Sequence, residues 1–335
     1  MKDKIIIITN ESFYESEKNK FYCDNIDLKS IPEELNKFFE INIIGRKSNK
    51  KRSKKIELNK IKVFSNIFLY LFEIIKQYKD KGSKYFVISL SPYTLLASIV
   101  LKIFSKKHFI YLRSDGYQEY RAILGFIGPI IYHLIFRLGI INAKLVACRE
   151  HLLKNNNGVI VNPSQLNEKW FKEIKKINPF KIKLLYVGRM RVEKGIFSLL
   201  NLLKETSYSL TIVTSEKDIN EYNYNNLELI SFENYNDSII KFYDDHNIFI
   251  LPSFTEAHPQ VLDEALARCR PVIVFSDINH VKRNREGVFV CERNINSLNN
   301  TINHIINNYE SITDKIKINK LPTKENFIQE LRNLF

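Results

Sequence analysis

Two glutamates beside the start of a predicted helix are the first residues whose types and spacing could do chemistry. Between Ile248 and Ser276 the sequence has an apolar run, a short polar loop, an amphipathic segment opened by Pro259, and a second apolar run. This order predicts a β-α-β unit. A proline at the first helical position leaves the amides of Gln260 and Val261 without intrahelical partners, and such amides suit a phosphate.

The two carboxylates are Glu256 in the loop and Glu264 inside the helix. Glu264 lies about one turn beyond Gln260, roughly 5 Å along the axis, so a group bonded to the phosphate could reach it. A carboxylate can accept both hydroxyls of a ribose, and Glu256 would then face a sugar on the distal phosphate. The alternative is an ordinary loop glutamate and a solvated helix glutamate.

Positive charge follows an earlier predicted strand, Lys183 to Val187. The next segment, GRMRVEKG, covers residues 188–195 and contains Gly188, Arg189 and Lys194. The planar guanidinium of Arg189 can bridge two phosphate oxygens, and Lys194 adds a point charge. Such a pair alone is usually surface charge, but together with the two glutamates it predicts a diphosphate site.

The β-α-β unit resembles the signature of the retaining glycosyltransferases of family 4, which have the GT-B fold. Residues 188–195 resemble the same family's G-R-x-x-x-E-K-G. Ala257, His258 and Arg270 stand where the family usually has Gly, Phe and Gly. His258 could donate a hydrogen bond to sugar or phosphate, or its ring could simply replace the Phe. The signature positions that match are Pro252, Ser253, Glu256, Pro259, Glu264, Ala265, Ala267, Pro271 and Val272.

The resemblance implies an α/β protein with two Rossmann-like, doubly wound domains facing across a cleft. Residues 1–165 would bind the acceptor and residues 166–335 the nucleotide-sugar donor, with the last helix crossing back to the first domain. The implied reaction transfers a hexosyl group to a hydroxyl with retention, without a metal ion or another cofactor. The implied catalytic residues are Glu256, Arg189, Lys194 and Asp115, and the implied donor-binding residues are Glu264, Gly188, His258, Pro259, Gln260, Val261 and Phe232.

Asp115 belongs to the tetrapeptide Arg113-Ser114-Asp115-Gly116, which follows a predicted strand. Ligands of open α/β sheets gather beyond the carboxyl ends of the strands, so this segment should project towards them. The related enzymes often have a His here, and its absence leaves Arg113 or Asp115 to contact donor or acceptor. A plain Asp-Gly turn is the alternative.

Charge is concentrated in the first half of the chain. Residues 1–165 contain 28 Lys and Arg against 15 Asp and Glu, whereas the remainder contains 23 against 22. Such asymmetry indicates an anionic partner, namely nucleic acid, acidic lipid headgroups or a polyanionic acceptor, unless a biased genome explains the lysines. The sequence has no helix-turn-helix, zinc spacing or aromatic-basic sheet motif, which disfavours nucleic acid.

Three segments of this half are candidates for contact with a membrane. The run RKSNKKRSKK at residues 46–55 has seven basic residues and predicts either a solvated loop or contact with an anionic surface. Ile61–Tyr78 and Tyr120–Ile141 are apolar and predict helices that are buried or lie on a membrane surface. These features favour a glycan or lipid-linked acceptor.

Four cysteines without disulfide-like spacing indicate a reducing compartment. The N-terminal apolar run is too short for a signal peptide, and no uninterrupted apolar stretch reaches the roughly 20 residues of a span. We therefore expect a cytoplasmic protein, peripheral on the inner face of the membrane, that assembles bacterial capsule or lipopolysaccharide. The alternatives are a GT-B nucleotide-sugar epimerase and a basic nucleic-acid-binding protein.

Overall fold

The computed structural model describes residues 2–17, 19–77, 82–204, 206–214, 227–231 and 239–335. The chain forms two compact units, one of Met1–Asn162 with Asn326–Phe335 and one of Pro163–Glu325. The strands are β1 (Lys4–Glu17), β2 (Lys20–Cys23), β3 (Glu40–Ser48), β4 (Lys54–Ile56), β5 (Ile61–Phe64), β6 (Lys84–Ile88), β7 (His108–Leu112), β8 (Ala143–Ala147), β9 (Gly158–Ile160), β10 (Lys183–Val187), β11 (Ser209–Thr214), β12 (Leu227–Ser231), β13 (Ile248–Leu251), β14 (Val272–Phe275) and β15 (Val288–Cys291). The α-helices are α1 (Ile26–Leu35), α2 (Ile67–Gln77), α3 (Pro92–Ile103), α4 (Gly116–Leu124), α5 (Gly128–Gly139), α6 (Ile196–Leu203), α7 (Ile239–Asp245), α8 (Gln260–Ala267), α9 (Ile295–Asn307), α10 (Tyr309–Ile316) and α11 (Lys324–Arg332).

The second unit is built on a parallel sheet with the strand order β12-β11-β10-β13-β14-β15. Its central strands β13 and β14 are buried along their whole length, as their continuous apolar sequences predict. The order runs one way from β10 to β12 and the other way from β13 to β15. The loops after β10 and β13 therefore diverge at a topological switch point, where open α/β sheets bind ligands.

The first unit has a parallel core in the order β5-β3-β1-β6-β7-β8-β9. The far end of β1 also pairs with β2, and β2 pairs with β4, both antiparallel. The last ten residues, 326–335, belong to this unit. Their terminal ring, Phe335, packs on Phe39, Phe86 and Phe109, with centroids 5.1–5.9 Å apart.

Two of the predicted segments differ from the structure. Ile61–Tyr78, predicted as one helix, contains the strand β5 before α2 begins at Ile67. The prediction was wrong over β5 because short apolar runs fit both helical and strand periods. The basic run 46–55 is not simply a loop, since it includes the end of β3 and the start of β4.

Two buried arginines that follow α8 donate hydrogen bonds to the start of the second unit. Arg268 is 1% exposed and donates to both carboxylate oxygens of Asp244, at 2.9 and 2.7 Å. Arg270 donates to the carbonyls of Tyr243 and Lys175, each at 2.7 Å, which gives a structural reason for an arginine in place of the family's glycine. Arg268 also donates to the carbonyls of Lys169, Trp170, Lys172 and Glu173.

We expect Arg268→Ala to lower the free energy of unfolding of the second unit by about 3–5 kcal/mol, because it leaves the carboxylate of Asp244, 15% exposed, with only a 3.5 Å contact to Arg270 and removes the donor of several carbonyls. Urea unfolding followed by Trp170 fluorescence measures this, since Trp170 is the sole tryptophan and its carbonyl accepts a hydrogen bond from Arg268. Arg121→Ala, at an exposed arginine, is the control and should change stability by less than about 0.5 kcal/mol. Equal effects of the two substitutions would contradict the role of Arg268.

Candidate functional site

Two loops meet at the switch point of the second unit, residues 188–195 after β10 and residues 252–259 after β13. Their contact depends on Gly195, whose φ is +65°. A Cβ at this position would lie 1.8 Å from the carbonyl oxygen of Pro252. Only glycine allows both this backbone conformation and this approach. The carbonyl of Glu193 also accepts a hydrogen bond from the amide of Phe254 at 3.0 Å.

Arg293, just after β15, contacts the second of these loops. Its guanidinium donates to the carbonyl of Pro252 at 2.9 Å and to the carboxylate of Asp277 at 2.7 Å. It also lies over the rings of Phe254 and Phe275, at 4.2 and 4.4 Å from their centroids. No motif in the sequence marks Arg293, although an arginine at the carboxyl end of a parallel strand could have suggested a place near the loops.

The meeting of the loops brings Lys194 and Glu256 together. The Nζ of Lys194 lies 2.6 Å from Oε1 of Glu256, and the Oγ of Ser253 donates to the same oxygen at 2.8 Å. The side chains of Lys194 and Glu256 are 23% and 11% exposed. An ammonium group has three donors, so Lys194 retains two for a further acceptor. The other oxygen of Glu256 can accept from a ligand.

Arg189 lies at the start of the first loop, directly after Gly188. The amide of Gly188 donates to the carbonyl of Val213 at 3.0 Å, and the carbonyl of Arg189 accepts from the hydroxyl of Tyr186 at 2.7 Å. These bonds hold the backbone while the Arg189 side chain is exposed. Within the described part of the chain, no carboxylate forms an ion pair with this guanidinium, which therefore offers an unneutralised charge.

Helix α8 begins at Gln260, and Pro259 is the residue just before it. The prediction that Pro259 opens the helix was therefore displaced by one residue. Pro259 has φ −74° and ψ 100°, and its carbonyl accepts the first helical bond from the amide of Leu262 at 3.1 Å. The amides of Gln260 and Val261 precede this bond, at the end of the helix where the dipole is positive.

Glu264 lies one turn into α8, and its carboxylate is held by Tyr243. The Tyr243 hydroxyl donates to Oε2 of Glu264 at 2.8 Å. Burial raises the pKa of Glu264 from its ordinary 4.5 to about 7, while the hydrogen bond from Tyr243 acts in the opposite direction. The negative charge of Asp263 adds to the increase in pKa. Tyr243 comes from α7 and no motif in the sequence marked it.

His258 lies in the second loop with its side chain only 2% exposed. Its Nε2 faces the carboxylate of Asp263 at 3.2 Å, and its Nδ1 is 3.3 Å from the guanidinium of Arg283. Asp263 also forms an ion pair with Arg285. Both ring nitrogens of His258 thus face charged side chains of the protein.

Asp115 lies in the first unit, where it caps α4. Its carboxylate accepts from the amide of Tyr117 at 2.9 Å and from the Nζ of Lys154 at 3.0 Å. Its side chain is 9% exposed. The bond from Tyr117 is that of an N-cap at a helix start, and the contact with Lys154 is an ion pair.

Arg113, two residues earlier, belongs to a polar group at the carboxyl ends of β6 and β7. Its guanidinium donates to the Oγ of Ser89 and to the carboxylate of Glu11, each at 3.3 Å, and lies 3.7 Å from the carboxylate of Asp27. Phe232, predicted to flank the base, lies outside the described residues. No group of three His, Cys, Asp or Glu side chains suited to a metal ion occurs among the residues that are described.

The pKa of Glu264 predicts how stability depends on pH. Between pH 4.5 and about 7 the folded state keeps a proton that the unfolded state has lost, so the stability contribution is present at low pH and is lost as pH rises through 7. Glu264→Gln should remove this loss, which is at most about 3 kcal/mol. Urea unfolding at pH 5 and pH 8 measures it. Glu286→Gln, at an exposed glutamate, is the control, and an unchanged pH dependence in Glu264→Gln would contradict the assignment.

Comparisons with known proteins cover both the second unit and the whole chain. The family model described as "Glycosyl transferases group 1" matches residues 167–321. A Haemophilus influenzae protein named "Uncharacterized glycosyltransferase" is 29% identical over 196 residues, which are 52% of this chain and 54% of that protein. The chain therefore matches about half the length of that relative.

Two solved structures are similar over nearly the full length. A sucrose-phosphate synthase from Thermosynechococcus elongatus has a TM-score of 0.71 at 15% identity, covering 99% of this chain and 98% of its own. The Anabaena protein Alr3699/HepE, in complex with UDP, has a TM-score of 0.69 at 10% identity, covering 99% of each chain. The predicted GT-B fold is confirmed, and residues 167–321 match the family model of the group 1 glycosyl transferases.

Proposed function

We propose that this protein is a retaining glycosyltransferase that moves a sugar from a nucleotide-diphosphate donor to a hydroxyl of a glycan or lipid-linked acceptor. The observation that carries the proposal is the 2.6 Å pair of Lys194 and Glu256 at the switch point, with the exposed Arg189 in the same loop. Cationic side chains at the carboxyl ends of parallel strands, next to a helix start, are suited to a diphosphate.

The cations would act on the leaving group. Negative charge grows on the diphosphate as the bond between sugar and phosphate breaks, and donors that are already oriented stabilise that charge. Arg189 can bridge two phosphate oxygens, while Lys194 has two donors left beside its bond to Glu256. These side chains supply countercharge themselves, so we propose turnover without a divalent metal ion.

Glu264 would hold the ribose of the donor. Its carboxylate must be ionised to accept from both ribose hydroxyls, and burial raises its pKa to about 7. Two new hydroxyl donors favour the ionised form, so donor binding and loss of the Glu264 proton are coupled. UDP is the first nucleotide to test, because the Anabaena relative is described in complex with it.

The free oxygen of Glu256 would accept a hydroxyl of the sugar. We propose that the acceptor attacks on the face from which the diphosphate departs and that a phosphate oxygen takes the acceptor proton, as the resemblance to family 4 implies. In the first unit, the polar group around Arg113 would meet the acceptor, with Asp115 ordering the start of α4 beside it.

We also propose that the acceptor belongs to bacterial surface polysaccharide assembly, such as capsule or lipopolysaccharide, on the cytoplasmic face of the membrane. The support is physical: a net charge of +13 over residues 1–165 favours an anionic surface or a polyanionic acceptor. The same charge alone does not indicate a nucleic-acid partner, because the sequence has no motif that recognises nucleic acid.

Lys194→Ala should lower kcat/KM for an NDP-sugar by about 100-fold or more, because it removes a countercharge and leaves the Glu256 carboxylate unpaired. Nucleotide release is measured with a panel of UDP-sugars and a mixture of lipid-linked acceptors. EDTA is present, so that turnover without a divalent metal ion is tested at the same time. Lys204→Ala, at the exposed lysine just beyond the other end of α6, is the matched control and should retain activity.

The same assay separates a transferase from an epimerase. A transferase releases nucleotide slowly until an acceptor is added, whereas an epimerase converts the donor sugar without any acceptor. Conversion of the donor alone, with no stimulation by acceptors, would overturn the transferase proposal and favour the epimerase. Equal activity of the Lys194→Ala and Lys204→Ala variants would contradict the assignment of the diphosphate site.

A further inference from the structure

The first unit exposes large apolar side chains along four helices that pack side by side. Helix α2 packs on α3, α3 on α5, and α5 on α4. We call their outer face the apolar helical surface, and seven of its side chains are each at least 59% exposed: Phe68, Phe72, Ile103, Ile123, Phe126, Ile130 and Leu134. Single exposed apolar residues are ordinary, but a face of this extent marks an interaction site.

The most exposed part of this surface is the hairpin formed by α4, the 3-10 turn Gly125–Ile127 and α5. Phe126, at the turn, is 80% exposed, and Ile127 beside it is 47% exposed. Gly128 allows the two helices to approach closely, since a Cβ at this position would lie 2.0 Å from the carbonyl oxygen of Tyr120. The apolar tip is therefore held outward by a tightly packed hairpin.

This hairpin is suited to lie in a membrane interface and not to cross a bilayer. Gly116–Gly139, 24 residues in all, is long and apolar enough to span by length and composition alone. It is folded back on itself, however, with the rings of Tyr117 and Tyr132 4.9 Å apart. The longer arm, α5, has 12 residues and measures about 18 Å, well short of the roughly 30 Å hydrocarbon core.

The charges around the surface are mostly positive. Residues 92–114 and 120–149 contain no Asp or Glu, although Glu119, between these segments on α4, is exposed. The exposed cations of these segments include Lys102, Arg121, Arg137 and Lys144. Apolar side chains that insert, ringed by cations at headgroup level, are the combination that binds anionic lipid surfaces.

We propose that the apolar helical surface docks on an anionic phospholipid bilayer, with Phe126 and its neighbours inserted among the acyl chains and the surrounding cations at the headgroups. A second copy of the chain fits less well. Two-fold pairing would bring the same cations of both copies together, and Glu119 would offer one carboxylate against the four cations Lys102, Arg121, Arg137 and Lys144. The inference deepens the proposed function, since such docking would present the enzyme to a lipid-linked acceptor.

Flotation with vesicles of phosphatidylglycerol and phosphatidylcholine, against phosphatidylcholine alone, tests the docking at about 0.1 M salt. The full chain should bind the anionic vesicles preferentially. Phe126→Ser should weaken vesicle binding about tenfold or more because an inserted ring is lost. Phe180→Ser is the matched control, since Phe180 is 79% exposed but lies in the second unit, and it should bind as the wild type does.

A double reversal, Arg121→Glu with Arg137→Glu, should weaken binding to anionic vesicles about tenfold or more, with little effect on any residual binding to neutral ones. Absence of vesicle binding overturns the inference, as does an equal loss in Phe126→Ser and Phe180→Ser. A Phe126-dependent dimer without vesicle binding, seen by light scattering, also overturns it in favour of a second copy. UDP binding, measured on the same samples, separates failure of docking from failure of the donor site.

Discussion

The proposed donor site depends on the approach of one backbone to another, that of Gly195 to the carbonyl of Pro252. These residues belong to loops that follow β10 and β13, which are neighbours in the sheet but far apart in sequence. A side chain at Gly195 would separate the loops and with them Lys194 and Glu256. The distance between Lys194 and Glu256 therefore depends on Gly195, which has no side chain. Arg293 also holds the second loop, through its hydrogen bond to the carbonyl of Pro252.

The arginines of the second unit serve two purposes that charge counting cannot distinguish. Arg268, Arg270 and Arg293 bind carbonyls and carboxylates of their own unit, whereas Arg189 is exposed with an available guanidinium. The buried ones are balanced by acids such as Asp244 and Asp277, which is consistent with the near-neutral charge of this half. The first half has no such balance, and its excess cations surround an exposed apolar face.

The β-α-β unit could be predicted closely because buried parallel strands and an amphipathic helix leave strong local patterns. The environments of His258 and Glu264 could not, since they depend on Arg283 and Tyr243, which no local pattern connects to them. The helix predicted over Ile61–Tyr78 failed at β5 because pairing with β3, and not the local sequence, decides the strand. Contacts between distant segments are thus the part that sequence patterns leave out.

We propose that Arg189, Lys194 and the start of α8 hold one diphosphate while Glu264 holds the ribose. A crystal structure of the protein with UDP would test this arrangement. We expect phosphate oxygens within hydrogen-bonding distance of both cations and a ribose hydroxyl on the Glu264 carboxylate. A nucleotide bound elsewhere, or phosphates that contact neither Arg189 nor Lys194, would contradict it.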